Sequence, residues 1–147
     1  MTVLVIGVLA AGAFLVLAVN NGGSVSGKLT ALQIATYAAL AGFAGDDLVT
    51  AVAIALAESG GGNPRAYNPE TAAKGGTPTG MGSYGLWQIY LKVHPEFQGI
   101  DLYDPQENAS AAYHVYLAAG SSFRPWSTFT NNSYVTQLDA AQGAVNA

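Results

Sequence analysis

The sequence predicts a mainly α fold: a helical domain with a loop-rich cleft, preceded by one transmembrane helix. Three observations predict it. Half of the 147 residues are hydrophobic and only 10% are charged, too apolar a balance for a disordered chain. Apolar residues recur at helical spacing in runs separated by Gly, Pro and Asp. A stretch from Gly60 to Gly82, rich in Gly, Pro, Asn and Thr, interrupts those runs. Loops of that length inside a compact domain are uncommon and usually functional or disordered. The length suits one domain.

From Thr2 to Val19 the chain carries no charge. As a helix at about 1.5 Å per residue it would reach roughly 27 Å, close to the ~30 Å of a bilayer core. A transmembrane helix over residues 1–19 is therefore expected. A cleaved signal is disfavoured, because no Lys or Arg precedes the run and "AVNNGG" is a poor cleavage site. A helix buried in a larger assembly stays open, because the run is short for a span. Lys28 is the only nearby cation, so charge does not set an orientation. Residues 20–27, "NNGGSVSG", read as a flexible linker, and residues 28–147 as the folded domain.

Within the domain, Leu29, Leu32, Ile34, Tyr37, Leu40 and Phe43 recur at roughly helical spacing, and Gly42 or Gly45 ends that helix. Asp46 and Asp47 supply a cap and early negative charge for a second helix, "LVTAVAIALAES". That run is apolar on almost every face, which predicts a buried central helix. "YGLWQIYL", Tyr84 to Leu91, is a strand or a helical turn; periodicity does not decide. Asp104 caps a further helix with Pro105 at its first position, Ala109, Ala112, Tyr113, Tyr116 and Leu117 on its buried face, and Gly120 stopping it. "PWSTF" opens another turn, and Ser133 to Val145 is a terminal helix.

Composition excludes several chemistries. There are no cysteines and five basic residues against nine acidic ones, a net charge of −4. Disulfides and thiolate metal sites are ruled out, and no basic patch exists to hold nucleic acid. Gly80-Met81-Gly82-Ser83-Tyr84-Gly85 matches G-x-G-x-x-G, but the polar residues Lys74 to Thr79 before it are no strand, so a dinucleotide cofactor is not expected. His94 and His114 lack a third ligand at sensible spacing, and no metal is predicted.

Two places invite chemistry. Glu58 ends the apolar helix and faces the long loop. Burial and the negative end of the helix dipole both disfavour its ionised form. A carboxylic acid kept neutral near neutral pH is what general acid catalysis needs. The alternative is a solvated carboxylate at a frayed helix end. The second place is Gly82-Ser83-Tyr84-Gly85-Leu86-Trp87-Gln88-Ile89, where an amide beside an aromatic suits a sugar; the alternative is that Trp87 is core and Gln88 a strand edge.

The order of these pieces is more specific than any one of them. Glu58-Ser59 closes a helix and is followed by Asn63-Pro64-x-Ala66. Then come Gly85-Leu86-Trp87-Gln88-Ile89, Asp104-Pro105-x-x-Asn108-Ala109, a helix bearing Tyr113, and Pro125-Trp126-Ser127. From about Leu29 to Tyr134 the chain resembles the lytic transglycosylase domain of the soluble type, related to goose-type lysozyme, in the small versions carried by phage virion and tail proteins. The resemblance implies a lysozyme-like helical domain with a glycan cleft. It implies that Glu58 is the sole acid and base, that Gln88 contacts the glycan, and that Ser59, Tyr84, Trp87, Tyr113 and Trp126 complete the substrate-binding set. Trp87 replaces the family's usual methionine. The family's Ala-Tyr-Asn-Ala-Gly motif, whose tyrosine bonds the catalytic Glu, is missing; Tyr113 and Tyr116 are the candidates to replace it.

The reaction so implied is cleavage of the β-1,4 bond between N-acetylmuramic acid and N-acetylglucosamine, with a 1,6-anhydro product and no cofactor. The implied partners are peptidoglycan strands, a membrane through residues 2–19, and virion or envelope-machine proteins. The implied location is a virion or bacterial inner membrane, with the domain facing peptidoglycan. A lysozyme-type hydrolase and a non-catalytic peptidoglycan-binding or structural virion protein are the rival readings.

Overall fold

A computed structural model of the chain describes residues 2–9, 13–20, 27–69 and 80–147. The expected N-terminal helix is corrected: β1 (Thr2–Leu9) and β2 (Ala13–Asn20) pair as antiparallel strands, in register from Thr2 opposite Asn20 to Leu9 opposite Ala13. The physical reason lies in the residue types. Val3, Val5, Ile6, Val8, Val16 and Val19 are β-branched and stiff at χ1, which favours a pleated strand over a helix. No helix among the described residues is long and apolar enough to cross a membrane. Most of the expected linker, residues 21–26, lies outside the described residues, as does the part of the long loop at 70–79.

The domain is built around α2 (Gly45–Glu58), flanked by α1 (Ala31–Ala41) and by the C-terminal elements α4 (Ser127–Thr130) and α5 (Leu138–Val145), while α3 (Pro105–Ala118) packs on α1. In α2 every residue from Ala51 to Leu56 is buried, as expected of a helix without a polar face. Its start differs from expectation. Ala44 is the cap residue without a side-chain bond, and Asp46 and Asp47 sit in the first turn, where they meet the positive end of the dipole. At α1, Thr30 and Gln33 form a reciprocal capping box and Gly42 closes the helix. Ile34, Ala35 and Ala38 face inward, whereas Leu32 and Leu40 are exposed.

At α3 the expected cap is present: Asp104 accepts hydrogen bonds from the backbone N–H groups of Gln106 and Glu107, both at 2.9 Å, with Pro105 opening the helix. Ala109, Ala112 and Tyr116 are buried, Tyr113 is partly buried, and Leu117 is exposed. The terminal segment begins as a 3-10 turn over Ser133–Gln137 before becoming α5. An aromatic cluster closes this side of the core. The ring of Phe43 lies 5.0 Å from Tyr113 and 5.2 Å from Tyr116, and Phe123 meets Tyr116 at 4.7 Å.

"YGLWQIYL" is both a strand and a turn. β3 (Tyr67–Asn68), β4 (Ser83–Tyr84) and β5 (Ile89–Tyr90) form a small antiparallel sheet, and Gly85 to Gln88 is the tight turn between the last two. Gly85 takes φ +75°, and a Cβ there would collide with the Leu102 carbonyl and the Asn108 side chain. Asn108 pins this turn to α3. Its Oδ1 accepts from the Trp87 backbone N–H at 2.8 Å, and its Nδ2 donates to the carbonyls of Tyr84 and Leu102 at 2.8 and 2.9 Å. The side chain is fully buried, and its polar atoms are matched to backbone partners, as burial requires.

Candidate active site

The end of α2, the β4–β5 turn and the start of α4 enclose a cleft of about 230 Å³. It is lined by Glu58 from the helix, Asn68, Ser83, Gln88, Ile89, Tyr90 and His94 from the sheet and the segment after it, Val115 from α3, and Pro125, Trp126 and Ser127. Glu58 is the one carboxylate among these described lining residues.

Glu58 is half-buried. Burial raises its carboxyl above the usual carboxylate range, because a low-dielectric setting penalises the charged form. Thr128 opposes that shift with its hydroxyl and its backbone N–H, both of which favour the ionised form. The hydroxyl donates to Glu58 Oε1 at 2.8 Å. These two residues stand seventy positions apart in the chain, and only the packing of α4 onto α2 brings them together. The group is therefore neither loose in bulk solvent nor tied to a guanidinium among the described residues: burial and one threonine act on its carboxyl in opposite directions.

The β4–β5 turn supplies Gln88, which takes φ +47°, an uncommon left-handed conformation for a residue other than glycine. Its Nε2 donates to the carbonyls of Ala66 and Gly85 at 3.1 and 3.0 Å. Both amide hydrogens are thus engaged internally, and the amide oxygen is the atom available to a ligand hydroxyl. Trp126 walls the cleft, and its Nε1 donates to the Trp87 carbonyl at 2.8 Å. The start of α4 is thereby fastened to the turn that carries Gln88.

The remaining expected site residues fall elsewhere. Ser59 is buried, with its hydroxyl donating to the Ala55 carbonyl at 2.5 Å and accepting from Gly62 N–H at 3.0 Å; it shapes the glycine turn after α2. Trp87 is fully buried and donates from Nε1 to the Ala51 carbonyl at 3.0 Å, so the core alternative holds for it. Tyr84 points its hydroxyl at the Gly80 carbonyl (2.6 Å) and its ring at Tyr67 and Tyr103, while its neighbour Ser83 lines the cleft. Tyr113 lies against Gly42 and Phe43, and Tyr116 donates to Asp47 at 2.5 Å. Neither bonds Glu58; that place is taken by Thr128. Sequence reasoning passed over Thr128 although it directly follows Pro125-Trp126-Ser127. It also passed over Asn68 and Tyr90, and it weighed Ser83 only as part of the Gly82-to-Ile89 stretch and His94 only as a metal ligand; that all four line one cleft depends on the sheet.

Among the described residues this geometry provides one half-buried carboxyl, an amide oxygen and an indole wall around an open groove. A half-buried carboxyl can give a proton to an oxygen bound beside it. A sequence profile described as a lysozyme-like domain matches residues 35–128, well over half of the chain. The chain belongs to the lysozyme-like domain family. The match runs from α1 through Glu58 and the β4–β5 turn to Thr128, so it takes in the cleft just described. A lysozyme-like domain points to the glycan of peptidoglycan as the substrate class. No curated relative and no solved structure matches the chain.

Proposed function

We propose that this lysozyme-like domain is a peptidoglycan lytic transglycosylase, cleaving the β-1,4 bond between N-acetylmuramic acid and N-acetylglucosamine. The observation that carries the reading is the solitary carboxyl: Glu58 lines the cleft without a second Asp or Glu among the described lining residues. Glycosidases that use water ordinarily employ two carboxyl groups. A route in which the sugar supplies its own nucleophile needs one.

In that route Glu58, whose carboxyl burial raises above the usual carboxylate range, gives its proton to the glycosidic oxygen as the bond to the muramyl anomeric carbon breaks. An oxocarbenium-like centre develops. The Glu58 carboxylate then takes the proton of the muramyl C6 hydroxyl, whose oxygen closes on the anomeric carbon. Glu58 ends as it began, and the products are an N-acetylglucosamine-ended strand and a 1,6-anhydromuramyl end. Gln88 and Trp126 are the glycan contacts of this scheme.

The setting we propose is local opening of a cell wall by a phage particle or an envelope-spanning machine, with residues 28–147 facing peptidoglycan. The uncharged Thr2–Val19 segment supports an apolar or membrane partner for the chain's start; absence of flotation with liposomes would remove that part.

Clearing of a peptidoglycan-containing gel tests the catalytic reading. Wild type clears it, and Glu58→Gln, which keeps the shape and an acceptor oxygen, does not. Equal clearing by both, or none by either, ends the assignment of Glu58.

A further inference from the structure

Thr128 is placed with unusual firmness for a side chain on a four-residue helix. The residue two before it, Trp126, is buried and tied by its indole N–H to the Trp87 carbonyl at 2.8 Å. The residue after it, Phe129, packs against Phe123 at 5.8 Å and Tyr134 at 5.2 Å. Two anchored aromatic rings thus hold a hydroxyl at 2.8 Å from one particular oxygen of Glu58, Oε1. A hydroxyl has one hydrogen to give, and an oxygen that accepts it is the carbonyl-type oxygen of a neutral carboxyl.

We propose that Thr128 is a positioning residue that selects Oε2 of Glu58 as the oxygen carrying the transferred proton, by occupying Oε1 throughout the reaction. The inference rests on the proposed function, and it adds what that function leaves open. A lone carboxyl must act first as acid and then as base, and both transfers need the same oxygen aimed at the substrate. Without the Thr128 hydroxyl the side-chain bond that distinguishes the two oxygens is lost, and the proton is shared between them. The same hydroxyl also favours the ionised state that Glu58 must reach in the second half of the cycle. The backbone N–H of Thr128 contributes in the same direction and survives any side-chain change.

Among the described lining residues, the titratable groups that share the cleft with Glu58 are Tyr90 and His94; Val115 of α3 and Pro125, Trp126 and Ser127 at the start of α4 do not titrate in the accessible range. His94 itself faces Glu96 at 3.4 Å.

The test compares wild type, Thr128→Val, Thr128→Ser and Glu58→Gln in the full chain, with Thr128→Ala as a second deletion of the hydroxyl should the valine variant fold poorly. Rates on solubilised glycan strands are followed against pH, and the Glu58 carboxyl is titrated by carbon-13 NMR. Removing the hydroxyl is expected to lower kcat by about 10- to 100-fold, as misaimed catalytic groups do, with KM little changed. The alkaline limb of kcat and the NMR titration of Glu58 both move to higher pH, and serine restores rate and limb. A purely structural role for Thr128 lowers activity without moving either titration, and that result overturns the proposal, as does an unchanged or faster rate. If Glu58→Gln is active, the underlying function fails instead; if it is inactive and Thr128→Val behaves as wild type, only the role of Thr128 fails.

Discussion

Replacing Asn108 by alanine is the sharpest test of how the fold carries the cleft. The side chain is fully buried and makes three hydrogen bonds, all to backbone groups: Trp87 N–H at 2.8 Å, the Tyr84 carbonyl at 2.8 Å and the Leu102 carbonyl at 2.9 Å. Alanine leaves those three groups without their partner, each at a cost of about 1–3 kcal/mol. Water entering the vacated volume relieves part of this, so the expected loss is about 3–5 kcal/mol. That is a large share of the roughly 5–15 kcal/mol that holds a domain together. With a shift of roughly 4 °C per kcal/mol for a domain of this size, Tm falls by about 12–20 °C. Urea unfolding of the full chain followed by tryptophan fluorescence reads the change directly. Asn108→Asp serves as a control: it keeps an acceptor for Trp87 but loses the donor and buries a charge against two carbonyls, so it is at least as damaging. A loss below about 1 kcal/mol for alanine, or an aspartate variant as stable as wild type, would refute the view that Asn108 pins the turn.

Further outcomes follow from the same contacts. Gly85→Ala is expected to cost about 3 kcal/mol or more in urea unfolding, because φ is +75° and the new methyl meets Leu102 and Asn108; a neutral result would contradict the packing. Trp87→Phe removes the bond to the Ala51 carbonyl and leaves space in the core, for a loss of about 2–4 kcal/mol by the same assay. Glu58→Gln is expected to raise Tm at pH 7. Burial lifts the folded-state pKa of Glu58 above its unfolded value, so its contribution to stability is complete below the unfolded value and is lost as pH rises through the folded one. The advantage of glutamine therefore vanishes near pH 4, close to the ordinary carboxylate range, and a pH-independent gap would sink this reading. The bond to Asp47, followed by burial, raises the Tyr116 hydroxyl. Its stabilisation is present below about pH 10, the unfolded value, and is lost on passing through the raised folded value. Alkaline melts of Tyr116→Phe should accordingly fall less steeply than those of wild type.

What could be read in the sequence was whatever depends on local pattern. The central helix, the Asp104–Pro105 start of α3 and the position of Glu58 at a helix end follow from runs, caps and glycine. Gln88 and Trp126, singled out through the order of motifs, both line the cleft. What escaped depends on which way a residue faces after distant segments meet. Trp87 stands beside Gln88, yet the turn sends the indole into the core and the amide to the groove. Thr128 reaches Glu58 only because α4 folds onto α2. The N-terminal run was misread for a different reason. An uninterrupted apolar stretch has no polar phase from which to read a period, so helix and strand look alike, and the β-branched residues were the clue that decided it.

The measurement that bears most directly on the central claim is mass spectrometry of muropeptides released from sacculi in heavy-oxygen water. A lone Glu58 working with the sugar's own hydroxyl predicts 1,6-anhydromuramyl ends that carry no solvent oxygen, and their loss in Glu58→Gln. Reducing muramyl ends labelled from the solvent would show that water is the nucleophile and contradict the account.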